Sequence, residues 1–196
     1  MSLLLLMLPM LLAGRMAQSE VTSWLDPVSV ATITSQAEPL TLVRVATSSR
    51  TKRSFAELTA IEINRMGARR LYLVLTPRMS DMVTPDQRVS FERSFEQAEI
   101  RLDERSVALA RYTDSVAELG IGEPALLPIF GSRHIYYPIE RAQLHAMATS
   151  TRFEFIALGL SNPQPYKERN EGRRSLGEFV SQLPGATADL QKSEAP

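Results

Sequence analysis

The segment IEINRMGARRLYLVL, residues 61–75, constrains the fold more than any other stretch of the chain. Two apolar runs flank a short polar break that carries a glycine, the pattern of two strands joined by a hairpin turn. Asn64 and Gly67 occupy the first and fourth positions that a type I turn prefers. Gly67 also suits the left-handed residue of a G1 bulge, where a β-branched side chain would be strained. In this register Ile61 and Ile63 face Leu71 and Leu73. Arg65, Arg69 and Arg70 then sit at or beside the tip, where charge keeps a hairpin end in water. The competing reading makes the same three arginines a basic binding site.

Alternation extends the β reading along the chain. VSVATIT (28–34), LTLVRVAT (40–47) and ELTAIEIN (57–64) read as strands, and RLYLVLT (70–76), apolar on both faces, as a central one. FEQAEIRL (95–102) turns Ala98, Ile100 and Leu102 inward and pairs with VALARYT (107–113). HIYY (134–137) and RFEFIALGL (152–160) are further strands, and 161–174 reads as a loop. Residues 77–94 form a long connection that is either a short helix or a mobile loop. Two helices fall in the C-terminal half. One covers 139–150, opens at Pro138 and sets Leu144, Met147 and Ala148 on one face. The other covers 175–185, with Leu176, Phe179, Val180 and Leu183 on one face. Ser175 and Glu178 match a capping box there, and Pro184 and Gly185 match a stop. The expected fold is mainly β (α+β), an antiparallel β-sandwich-like core with two short helices.

The first residues, MSLLLLMLPMLLAG, end their apolar run at Ala13, before Arg15. The run is shorter than the ~20 residues that span a bilayer and matches a signal-peptide core of about 7–15. No basic residue precedes it. Small residues at Ala13, Gly14 and Ala17 offer cleavage points. The expected organisation is a signal peptide at 1–17, one β-rich domain at 18–185 and a tail at 186–196. The mature chain then has no transmembrane span and is periplasmic or extracellular.

Composition narrows the chemistry. Net charge is zero, so no global field draws the chain to nucleic acid. There is no cysteine, which removes disulfides, thiolate nucleophiles and cysteine-bound metals. The same absence removes the attachment point of a lipoprotein anchor. His134 and His145 are the only histidines and lack metal-ligand spacing, so neither a metal site nor a cofactor is expected. They are the weak catalytic candidates, without a G-x-S-x-G elbow or a visible base–nucleophile pair. Glu92, Glu96 and Glu99 would share a face only if 91–99 were helical. Gly120, Gly122 and Gly131 are too dispersed to cradle a phosphate. Tyr136 and Tyr137, near Arg133, are binding candidates, although strand tyrosines more often pack across strands.

At AIEINRMGARRLYLVL and again at GRRSLGEFVSQLP the chain resembles small exported β-rich envelope proteins of proteobacteria whose function is not established. Some of those are lipoproteins, and from these members the chain departs in having no cysteine, so the resemblance does not extend to a lipid tether. The resemblance covers two short segments. It implies an envelope compartment and a β-rich fold, and no activity. The sequence therefore leads to a non-enzymatic binding or assembly module for an envelope protein or polymer. The alternative is a periplasmic hydrolase whose site is built from scattered polar residues.

Overall fold

The computed structural model describes residues 21–45, 53–79, 84–113, 119 and 133–184. The expected leader, the tail and the three dispersed glycines lie outside them. The spine is the hairpin of β4 (Arg53–Arg65) and β5 (Ala68–Met79). Its turn is tighter than the type I turn with bulge expected. Arg65 pairs with Ala68, so the loop is Met66–Gly67 alone. Both have positive φ, 52° and 89°, as a type I′ turn requires. Asn64 lies outside the loop and supports it through its side chain, whose Oδ1 accepts the Gly67 N–H at 3.1 Å. Because strand side chains alternate, a one-residue shift exchanges every facing pair. Ile61 faces Tyr72 and Ile63 faces Arg70, while Leu71 and Leu73 face Glu62 and Ala60.

β2 (Ala31–Ser35) and β3 (Leu40–Val45) share the other edge of β4. β3 pairs with Arg53–Leu58 and β2 with Ile61–Asn64. At the fork between them one side chain replaces the ladder. The Gln36 backbone N–H donates to the Ala60 carbonyl at 2.9 Å. Its Oε1 accepts the Ala60 N–H at 3.2 Å. Its Nε2 donates to the carbonyls of Glu38 and Gly172. Gln36 is buried, so each of these groups would cost stability if left unpaired.

From the fork, one arm is β2 and β1 (Thr22–Asp26). The other runs from β3 through β10 (Tyr166–Glu168), β9 (Phe153–Ala157) and β6 (Gln97–Leu102) to β7 (Arg105–Ala110). β8 (Ile135–Pro138) pairs with the far edge of β5. Neighbouring strands are antiparallel throughout. The sheet curls until its ends meet, and the Tyr112 N–H donates to the Tyr136 carbonyl at 2.7 Å. Leu42, Leu58, Leu75, Ile100, Phe155 and Tyr166, from six strands, share one buried cluster. This is the expected mainly β, α+β fold. β10 corrects the reading of 161–174 as loop: Tyr166 is buried and belongs to a strand between β3 and β9.

Among the described residues three helices close the core. α1 (Pro85–Arg93) occupies the connection left open as helix or loop. Thr84 caps it, accepting the Gln87 N–H while the Gln87 side chain accepts the Thr84 N–H. The true capping box is there. α2 (Arg141–Thr149) buries Leu144 and Met147 as expected, although Pro138 ends β8 and does not open the helix. α3 (Gly172–Gln182) begins before Ser175, so Ser175 and Glu178 do not cap it. Ser175 is buried, and its Oγ accepts the Glu38 N–H at 3.0 Å. Gly172 is required at this junction, because a Cβ would stand 2.7 Å from the Pro39 carbonyl oxygen.

The outer face of β4 and β5 carries a second cluster: Ala31, Ile33, Ile61, Ile63, Tyr72, Val74, Leu119 and Tyr136. Trp24 and Tyr112 pack at its margin. A sheet buried on both faces explains why the central strand is apolar throughout.

Candidate functional site

The hairpin divides the arginine knot. Arg69 lies on the inner face of its strand, 3.5 Å from Glu62 Oε1. Arg65 and Arg70 pair with Ala68 and Ile63 on the other face, and all three are exposed. Arg69 and Arg70 border a shallow concavity with Ala108, Glu140 and Gln143. A second concavity, about 660 Å³, lies between Arg93, Glu96, Arg111 and Leu158. A third lies beside Glu168, Arg169, Arg173 and Arg174. Each also holds a carboxylate: Glu140 in the first, Glu96 on Arg111 at 4.0 Å in the second, and Glu168 on Arg173 at 2.6 Å in the third. All three concavities are of mixed charge.

The histidines are separate from one another and from these concavities. His134 is half-buried, with Nδ1 2.9 Å from the Thr76 hydroxyl and its ring edge-on to Tyr136. His145 is on the exposed side of α2. Tyr136 and Tyr137 are both buried. The Tyr137 hydroxyl donates to the Phe95 carbonyl. Burial pushes the Tyr136 hydroxyl up to about 12 and raises that of Tyr137 further. These rings pack the two cores and are not available to stack on a base. α1 ends at Arg93 and Glu99 lies in β6, so Glu92, Glu96 and Glu99 share no helical face. Glu99 accepts from Arg101 and Ser106, both at 2.8 Å, which holds its carboxyl below the usual range. Among the described residues no cluster of three or more metal-ligating side chains occurs, and no helix is long and apolar enough to cross a membrane.

The most distinctive exposed feature is the turn between β1 and β2, which sequence reasoning placed inside a strand. Asp26 followed by Pro27 favours a tight turn, with an aspartate oxygen bonding the backbone ahead of it. Asp26 Oδ1 accepts the Val28 N–H and Oδ2 the Ser29 N–H, each at 3.2 Å. Oδ2 also accepts the Ser29 hydroxyl. The Val30 N–H donates to the Asp26 carbonyl at 2.9 Å, and the Ala31 N–H to Ser29 Oγ at 3.3 Å. Each backbone N–H from Val28 to Ala31 therefore has an acceptor inside the hairpin. The side chains point the other way: Leu25, Val28 and Val30 are 61%, 79% and 66% exposed. Val30 has φ 54°, left-handed backbone that is a genuine outlier for a β-branched residue. Beside the tip, the outer edge of β1 pairs with no described strand. The legible clue was Asp-Pro before Val-Ser-Val; the β-branched pattern concealed it.

No known protein family, curated protein or solved structure matches this chain.

Proposed function

We propose that the chain is an exported protein of the cell envelope that works as a binding or assembly module. The observation that carries this reading is the first hairpin: an outer strand edge that pairs with no described strand, running into an uncharged tip of exposed aliphatic side chains, on a scaffold whose sheet is buried on both faces. An exposed edge is a template for pairing, and an exposed apolar patch marks an interaction site. The leader-like run at 3–13 supports the compartment. The test is fractionation followed by N-terminal sequencing. A chain processed near Ala17 in the periplasmic, envelope or secreted fraction is the expected result. An intact Met1 in the cytosol would contradict it.

One observation favours the second reading, a periplasmic hydrolase: the Thr76 hydroxyl on His134 Nδ1 at 2.9 Å. A hydroxyl beside an imidazole is the minimal nucleophile–base arrangement. Turnover of an activated ester, lost in His134→Gln with the fold intact, would favour it. Equal background rates in both proteins would remove it.

A further inference from the structure

Deepening the envelope reading, we propose that the β1–β2 tip, Leu25 with Val28 and Val30, seats in the surface of a lipid bilayer. Three observations converge. First, the backbone donors of the tip need nothing from solvent. The N–H groups from Val28 to Ala31 are satisfied internally, and Pro27 has none. The nearest charge, Asp26, is already buried beneath its own hydrogen bonds. Internal satisfaction of backbone donors is what an environment without water demands. Second, Val30 keeps a β-branched side chain in the left-handed region while 66% exposed. Glycine or asparagine would relax that backbone, so the strain is retained for a side chain that the hairpin itself does not pack. Strain of this kind concentrates at functional surfaces.

Third, a short apolar run precedes β1 in the sequence. The apolar run ends at Ala13, and residues 14–21 join it to Thr22. Fully extended, such a link reaches on the order of 30 Å, while a strand of this length is only about 15 Å long. A link of that length lets the run and the tip reach one and the same bilayer. One short apolar insertion holds a protein only marginally, and stable attachment takes two. Run and tip supply two; after cleavage of the run, the tip alone gives reversible attachment.

The chain contains a single tryptophan, Trp24, half-buried on β1 beside the tip. It reports on tip insertion in the full-length protein. With vesicles of phosphatidylethanolamine and phosphatidylglycerol carrying brominated acyl chains, Trp24 emission is quenched. In the variant Leu25→Ser, Val28→Ser, Val30→Asn, quenching falls at least about tenfold in the partition constant it reports, a difference of about 1.4 kcal/mol. A cooperative thermal transition of the variant at or above that of the parent shows that the fold is kept. Should the triple variant fail to fold, Val28→Ser alone carries the test, because that side chain is the most exposed of the three. Vesicle-bound protein without Trp24 quenching, or quenching equal in variant and parent, would overturn the proposal. So would the absence of vesicle binding, which would leave a protein groove as the occupant. Quenching by a chain that fractionation finds unprocessed in the cytosol would support the lipid contact while removing the export reading.

Discussion

The first and second hairpins end in opposite ways. The second, at Met66–Gly67, surrounds its tip with Arg65, Arg69 and Arg70 and relies on one side-chain bond, accepted by half-buried Asn64. The first folds its backbone donors onto a buried aspartate and turns Leu25, Val28 and Val30 outward. Both tips hold a non-glycine residue at positive φ, Met66 and Val30. Charge around the second keeps it hydrated, so that tip reads as a soluble end of a scaffold. The first has its backbone donors turned inward and its aliphatic side chains outward. The arginine knot, the more conspicuous feature of the sequence, is therefore the less informative of the two.

Breaking the first tip should have the largest effect on stability. Asp26→Ala leaves two part-buried backbone donors without their acceptor and is expected to cost about 2 kcal/mol in urea unfolding. Next comes the contrast in lipid partition. Neutralising Arg65, Arg69 and Arg70 to serine should leave the fold intact and vesicle partition within about twofold in zwitterionic lipid, where surface charge contributes little. The aliphatic triple variant should lose about tenfold or more. Equal losses would erase the distinction between the tips. Relief of strain is expected to be smaller: Val30→Asn should stabilise by about 1 kcal/mol, and Met66→Asn by somewhat less because Met is not β-branched. The smallest effect is expected from Asn64→Ala, about 0.5 kcal/mol, because water replaces the lost acceptor at an exposed turn.

Much of the fold was legible because it is local and periodic. Ala98, Ile100 and Leu102 alternate inward as read, and β6 pairs with β7. Leu176, Phe179 and Val180 bury the face that their spacing predicts. The failures are of three physical kinds. The register of the central hairpin turned on whether Asn64 or Arg65 is the first of the four turn residues, and side-chain alternation magnified that one residue into a change of every facing pair. Ser175 matched a cap but serves a backbone N–H on another element, a non-local partner that no spacing reveals. Gln36 and Tyr166 are similar cases: one completes a forked ladder and the other anchors a three-residue strand, and both depend on residues far away in sequence. The site was less legible. The candidate tyrosines became core because their strand is covered on both faces. The exposed tip was hidden because its valines look like strand residues until Asp26 and Pro27 are given their turn chemistry.

The absence of cysteine permits a direct measurement at both tips. A polarity-sensitive fluorophore placed on Val28→Cys in one protein and on Met66→Cys in another reads each tip separately in the presence of vesicles. The expected result is a blue-shifted, brighter emission at position 28 and an unchanged aqueous spectrum at position 66. Identical aqueous spectra at both positions, or a shift at position 66 alone, would contradict the assignment of the first tip as the lipid contact.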